Sequence, residues 1–389
     1  MGGPKPSAPC NPSLTLPRQG GGDSGLTDRI PGLLTVARQR LRLAGGPLDR
    51  LAPAELKIAA RAIALLHEGL VAERALAGTR YLDRPDLLGA YLLALWPLSY
   101  AKTREVLAPL ALKPGGRVLD LGAGPGPMAL AALDALGPTA SAVACDPSAA
   151  ALGALTEMSS RYSVETRGGD LSLEPAGVYN IVLLGNVLNE LAADGVGRAA
   201  LLRRIIDRNL APGGVLVILD PALRSTGRDV LEVRDALLAA GGLVALAPCI
   251  RQGPCPALER ARDWCHAGRA WEPPPLVTQL DEATGLDHRS LKFAYLVLGR
   301  AAEHVAPAVS ANGLERFRVV SDPLVEKGKR RIFGCGERGR LPLVRLDREA
   351  PEGDPIAVAQ RGDVVRVAGA RTRGDGLRLG ADSHVELEA

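Results

Sequence analysis

The chain has 389 residues, 47% of them hydrophobic and only 3% aromatic, and its 47 Lys and Arg against 43 Asp and Glu give a net charge of +4. That length allows two or three domains with a sizeable core. The scarcity of aromatics excludes a binding face built of many stacked rings, and the mild basicity permits a nucleic-acid partner without requiring one.

Residues 1–27 begin with a Pro-, Gly- and Ser-rich stretch that reads as a disordered tail. It has neither the apolar core of a signal peptide nor the Arg-rich amphipathic pattern of a transit peptide, so a cytoplasmic location is expected. No membrane span is expected: the longest apolar run, near 128–145, is broken by Asp134, Gly137 and Pro138. Residues 28–110 read as a helical N-terminal unit. Apolar positions recur at helical spacing through IPGLLTVARQRLRLA and ELKIAARAIALLHEGLVAERAL, with breaks near Pro85 and Pro97 further on.

Over 111–300 the pattern alternates between strand and helix. Strands are expected at RVLDLG (117–122), SAVACD (141–146), Tyr162–Thr166, YNIVLLGN (179–186) and GGVLVILD (213–220). The intervening helices include 147–160, 188–209 and 226–240. Continuous apolar strands alternating with helices predict an α/β fold, a parallel sheet covered on both faces. GLVALAPC (242–249) and LKFAYLVLG (291–299) read as two further strands, with a Cys-rich insertion, 249–290, between them. From 313 to 389, short strands at ERFRVVS, RRIFGC, LPLVRLD, DVVRVAG and HVELE predict a small β-rich C-terminal module.

Two features carry chemistry. The first is Asp120-Leu-Gly122-Ala-Gly124-Pro-Gly126, which ends a strand and opens a helix at Pro127. Glycines there allow a tight turn and let a ligand approach the backbone. Asp146 ends the next strand, where a carboxylate can hydrogen-bond ribose hydroxyls. The spacing G-x-G-x-G departs from the G-x-G-x-x-G of dinucleotide folds. It resembles the cofactor loop of Rossmann-like S-adenosylmethionine-dependent methyltransferases. That resemblance implies that Asp120 helps to position the methionine end of the cofactor. It also implies that Asp170 holds the adenine amino group and that Asn186 faces the reacting centre. No catalytic residue stands out. The fourth strand runs into Gly185-Asn186-Val187-Leu188-Asn189 without a Pro-Pro-aromatic clamp, Cys145 reads as a small core residue, and Glu190 reads as structural.

The second feature is a cysteine quartet. Five residues separate Cys249 from Cys255, nine separate Cys255 from Cys265, and Cys335 follows much later. In a reducing compartment, clustered cysteines signify metal or redox chemistry more often than disulfides. Structural zinc usually shows paired C-x2-C knuckles, which are missing here, and wider spacing with a distant fourth ligand suits a cubane cluster better. Spacing alone leaves zinc, iron–sulfur and unligated thiols open. His266, beside Cys265, reads as supporting the site rather than as a ligand.

PCIRQGPCPALERARDWCHAGR followed by LKFAYLVLGR resembles the ribosomal small-subunit methyltransferase-like family, as do the upstream NVLNEL and RYLDRPDLLGAYLLALWPLSYAK. The likeness runs from about residue 75 to about 345. It implies a methyltransferase-like protein, monomeric, acting on the small ribosomal subunit or its rRNA. By position it implies a structural [4Fe–4S] cluster on Cys249, Cys255, Cys265 and Cys335, with zinc as the alternative. Ile250 stands where the family has a His before Asp or Glu. Residues 327–340 hold six basic residues and one acidic, a charge run suited to phosphate contacts. An active RNA methyltransferase and a non-catalytic RNA-binding assembly factor that keeps the fold as a platform both fit this reading.

Overall fold

The computed structural model of the chain describes residues 24–72, 75–76, 78–169, 175–188, 191, 194–304, 310–311 and 314–388. Four helices come first: α1 (Ser24–Leu41), α2 (Pro53–His67), α3 (Pro85–Ala94) and α4 (Trp96–Leu107). Pro85 and Pro97 sit in the first turns of α3 and α4, where a missing N–H costs nothing.

The strands and helices of the α/β part then alternate. They are β1 (Arg117–Leu121), α5 (Pro127–Leu136), β2 (Ser141–Asp146), α6 (Ala149–Met158), β3 (Ser163–Gly168) and β4 (Tyr179–Gly185). There follow α7 (Gly195–Asn209), β5 (Leu210–Pro221), α8 (Arg224–Ala239) and β6 (Leu243–Ala247). Last come β7 (Ala267–Ala270), α9 (Pro275–Thr284) and β8 (Ser290–Arg300). The eight strands form one sheet in the order β3-β2-β1-β4-β5-β8-β6, with β7 paired to β8. The first five strands are parallel, and β8 lies antiparallel between β5 and β6.

Alternate residues of each strand face opposite layers. Val118, Ala142, Ile181 and Val217 pack under α1 to α6 and α9, whereas Leu119, Val143, Val182 and Ile218 pack under α7 and α8. Both faces are covered, which is why these strands read as continuous apolar runs. Asp134 on α5 fastens the N-terminal helices to this body. It accepts from Arg29 at 2.6 Å, Tyr100 at 2.6 Å and Tyr162 at 2.7 Å.

The segment expected as a Cys-rich loop carries structure of its own, β7 and α9. Leu276, Val277 and Leu280 of α9 are buried, and Gln279 exchanges two hydrogen bonds with the backbone of Leu51. The run of prolines before Leu276 masks a helix of only ten residues.

The C-terminal strands are β9 (Ser310–Ala311), β10 (Leu314–Val319), β11 (Leu324–Glu326), β12 (Lys329–Gly336) and β13 (Gly339–Leu346). After the short α10 (Pro355–Val358) come β14 (Val364–Ala368), β15 (Arg371–Arg373), β16 (Gly376–Leu379) and β17 (His384–Leu387). They form a second sheet around Phe317, Ile332, Leu343, Ile356 and Val365. The five strands expected from sequence are all present; β9, β11, β15 and β16 are too short to show as patterns.

Candidate functional site

The glycine turn after β1 uses its glycines in two ways. Gly122, Gly124 and Gly126 all have positive φ, at 74°, 53° and 71°, which side-chain-bearing residues seldom adopt. A Cβ on Gly122 would lie 2.4 Å from Val187, and one on Gly126 2.3 Å from Leu155. These two glycines serve close packing. A Cβ on Gly124 would meet nothing nearer than Leu82 at 3.5 Å, so Gly124 leaves room for a ligand.

A cavity of about 830 Å³ opens at the carboxyl ends of β1, β2 and β4. It lies within the range of small-molecule sites and at the sheet position where α/β folds bind ligands. Gly122, Gly124, Cys145, Asp146, Ser148, Gly169 and Asn186 line its sheet side. Asp146 accepts from the N–H groups of Gly124 and Ser148, each at 2.8 Å. Its carboxylate thereby fixes the turn, and burial raises its pKa despite those two bonds. Asn186, at φ 58°, takes the left-handed conformation at the tip of β4 and donates its N–H to Leu219 at 2.8 Å.

The expected residues are not all gathered there. Asp120 and Gly126 do not line the cavity. Gly126 is the N-cap of α5 and has no side chain to cap with; Asp120 supplies the acceptor instead, taking the N–H of Ala129 at 3.0 Å. Burial, with the Asp146 charge adding, lifts the Asp120 carboxyl to about 7. Asp170 and Glu190 lie outside the described residues. Cys145 is buried at the end of β2 and touches the cavity, but burial holds its thiol protonated, up at about 11.

Sequence reasoning missed the opposite wall. Arg80, Tyr81, Leu82, Tyr91, Leu98 and Lys102 from the N-terminal helices close over the turn. Arg80 pairs with Asp83 at 2.7 Å, and Asp83 accepts from the Ser148 hydroxyl at 2.7 Å. The helical unit is thus bonded directly to the end of β2. Only the quoted run RYLDRPDLLGAYLLALWPLSYAK carried that signal, as a likeness without a role.

The four cysteines expected to act together border one cavity. Cys249, Cys255, Cys265 and Cys335 all line one small cavity of about 40 Å³ between the β6–β7 loop and β12. Burial, and then mutual repulsion with Cys249, pushes Cys255 up to about 12 and raises Cys265 and Cys335. Arg234, Arg251, Arg318 and Arg340 line the same cavity. Such cations suit thiolates, which a bound metal would generate. Among the described residues, however, no three His, Cys, Asp or Glu side chains are gathered as ligands of one metal ion. His266 lines a neighbouring cavity and stacks on Trp264, ring centroids 4.2 Å apart. Burial, then the charge of Arg361, lowers its pKa to about 4.

The basic run forms β12, β13 and their flanking turns, and its charges are largely paired internally. Lys329 and Arg331 both bind Glu326 at 2.9 Å, Arg338 binds Glu315 at 2.7 Å and Arg340 binds Asp263 at 3.4 Å. The field it presents is therefore weaker than its count of basic residues predicts.

Strand order, the antiparallel β8 and the glycine turn opening α5 define a Rossmann-like fold of the S-adenosylmethionine-dependent methyltransferase type. Within that class, the chain belongs to the family described as mitochondrial small ribosomal subunit Rsm22, whose model matches residues 88–377. No curated protein matches it in sequence. Among solved structures it is similar to TrmN from Thermus thermophilus, at 21% identity over 54% of this chain and 53% of that one, TM-score 0.34. It spans about half of that protein. It is similar also to a putative RNA methyltransferase from Pyrococcus horikoshii, at 14% identity, 53% and 89% coverage, TM-score 0.33. A third is magnesium protoporphyrin IX methyltransferase from Synechocystis PCC 6803 with bound SAM, at 12% identity, 62% and 97% coverage, TM-score 0.35. No helix among the described residues is long and apolar enough to cross a membrane.

Proposed function

We propose that the chain binds S-adenosylmethionine in the cavity at the glycine turn and acts on the small ribosomal subunit or its rRNA, as a monomer in the cytoplasm. The observation that carries this reading is the cavity itself. In a chain of a family named for the small ribosomal subunit, Gly124 leaves the backbone open at its floor and Asp146 sets the turn. When bound, the cofactor would supply an activated methyl group. Gly122 and Gly124 would let it reach the backbone, Asn186 would stand beside the acceptor, and the helices over the turn would exclude water.

The four thiols would hold a structural [4Fe–4S] cluster, with zinc as the alternative. What supports this reading is that the four cysteines line one cavity, at a spacing wider than that of paired zinc knuckles. A second reading, a non-catalytic assembly factor, is favoured by the cavity lining. Among the described residues, the lining's one cysteine is held protonated and its one carboxylate, Asp146, accepts two hydrogen bonds that set the turn.

Calorimetry with S-adenosylmethionine, paired with methyl transfer to naked and ribosome-bound rRNA, separates these. Transfer establishes the enzyme; binding without transfer to either substrate leaves the platform; no binding refutes the cofactor assignment. Iron and sulfide content with a visible spectrum of anaerobically purified protein tests the cluster, and a colourless zinc protein would defeat it.

A further inference from the structure

The cavity has one wall to which the methyltransferase reading gives no task beyond excluding water. Leu95, Leu98, Ser99 and Lys102 all line it. They fall at i, i+3, i+4 and i+7 and so form one stripe along the start and body of α4. That wall is mostly apolar, with Leu95 and Leu98 beside Tyr91, and Ser99 stands one turn before Lys102. Among the described residues no carboxylate or carbonyl pairs with its ammonium. The other described charged groups that line the cavity, Arg80, Asp146 and Arg204, each have a partner. Arg80 binds Asp83 and donates to the Pro147 carbonyl at 3.0 Å, and Asp146 gives its two oxygens to Gly124 and Ser148. Burial alone lowers the Lys102 pKa to about 8. Lys102 is half-buried on the cavity wall, and an ammonium partly withdrawn from water with no counter-charge among the described residues costs the fold some stability. A ligand anion in the cavity would remove that cost.

We propose that Lys102 is the residue by which this cavity recognises an anionic oxygen group of its ligand, a carboxylate or a phosphate. The proposal rests on the cavity being the ligand site argued above. Two sources could bring that group: the amino-acid carboxylate of the cofactor, or a backbone phosphate of the RNA. Lys102 takes part in recognition only, and no bond is made or broken on it.

The test uses the full chain and two variants. Lys102→Met keeps the length and apolar stem and removes the charge; Lys102→Arg keeps the charge. Binding is measured for S-adenosylhomocysteine, for 5′-methylthioadenosine, which lacks the amino-acid carboxylate, and for a small-subunit rRNA fragment. A charge-assisted hydrogen bond corresponds to a loss of roughly 10- to 100-fold.

If the cofactor is the source, Lys102→Met weakens S-adenosylhomocysteine by that factor and leaves methylthioadenosine unchanged. If RNA is the source, the cofactor product binds normally, RNA binding weakens and its salt slope falls by about one. In either case Lys102→Arg retains binding within a few-fold, and ligand-free Lys102→Met melts no lower than the parent. The proposal is overturned if Lys102→Met binds all three ligands like the parent, or if it weakens methylthioadenosine as much as S-adenosylhomocysteine. A parent protein that binds neither nucleoside refutes the cofactor reading instead, and the RNA measurements then decide on Lys102.

Discussion

Asp120 lends itself to a sharp test, because its geometry and its expected role diverge. It is 1% exposed and takes the Ala129 N–H at 3.0 Å. Its folded pKa is about 7 against an ordinary 3.8, chiefly through burial. The folded protein therefore holds a proton that the unfolded chain releases. Stability falls as pH rises from the unfolded value toward the folded one, and levels off above about 7. Within that window each pH unit costs about 1.4 kcal/mol, so pH 5 to 7 costs roughly 2–3 kcal/mol from this group. Asp120→Asn keeps an oxygen for Ala129 and does not titrate. Urea unfolding of both proteins from pH 5 to pH 8 should show the variant gaining roughly 2–3 kcal/mol on the parent. Parallel profiles would refute the assignment of a buried, proton-holding Asp120. Because Asp120 does not line the cavity, S-adenosylhomocysteine affinity should change by no more than a few-fold. A large loss of affinity would restore the role of touching the methionine end.

The glycines divide by the same logic. Gly122→Ala and Gly126→Ala meet Val187 and Leu155 well inside contact distance and should cost roughly 2–4 kcal/mol by denaturant titration, strain and overpacking together. Gly124→Ala has room and should cost only about 1 kcal/mol, yet abolish cofactor binding, as calorimetry would show. On the proposed cluster, Cys335→Ser should remove the bound iron and its visible absorption, because Cys335 alone of the four brings a thiol from the second sheet to the cavity; an unchanged spectrum would move the fourth ligand elsewhere. Arg228→Met leaves the carbonyls of Ala257, Arg260 and Asp263 without their shared donor and should cost roughly 1–3 kcal/mol. Its effect should appear as faster proteolysis of the cysteine loop.

The parallel sheet was legible because strands buried on both faces leave unbroken apolar runs, and RVLDLG and YNIVLLGN fall almost where β1 and β4 lie. Gly122 and Gly126 were legible as a turn, but their reason, the side chains of Val187 and Leu155 arriving from other elements, is tertiary. Asp120 shows the limit of a motif. The residue type is right for the position, yet its oxygen caps a helix nine residues on instead of facing the cavity. The convergence of Cys335 with the loop depends on a hairpin of the second sheet reaching the first. Arg251 donating to the Glu337 carbonyl at 2.6 Å records that contact, and local pattern could not show it. Lys102 closes the run RYLDRPDLLGAYLLALWPLSYAK, which carried a family likeness but no role for the lysine, since one lysine on an amphipathic helix ordinarily faces water.

Whether the cysteine site can influence the cofactor cavity turns on α8. Both lie at the carboxyl edge of the sheet, the cavity at β1, β2 and β4 and the cysteines beyond β6, with β5 and β8 between. Pro221 and Leu223, just ahead of α8, line the cofactor cavity. One turn on, Gly227 is packed so closely under Trp264 that a Cβ would approach the ring to 3.0 Å. Further along, Arg228 and Arg234 hold the loop by its carbonyls, Arg234 at 2.8 Å from that of Gly253. One rigid helix therefore touches the cavity with its start and the cysteine loop with its side. If the four thiols hold a metal group, its loss is expected to loosen the loop and, through Trp264 and the arginines packed on it, the start of α8. A cluster held there would need no redox chemistry to matter to the cavity: it would fix a helix that both sites touch, whether the chain transfers a methyl group or serves as a platform.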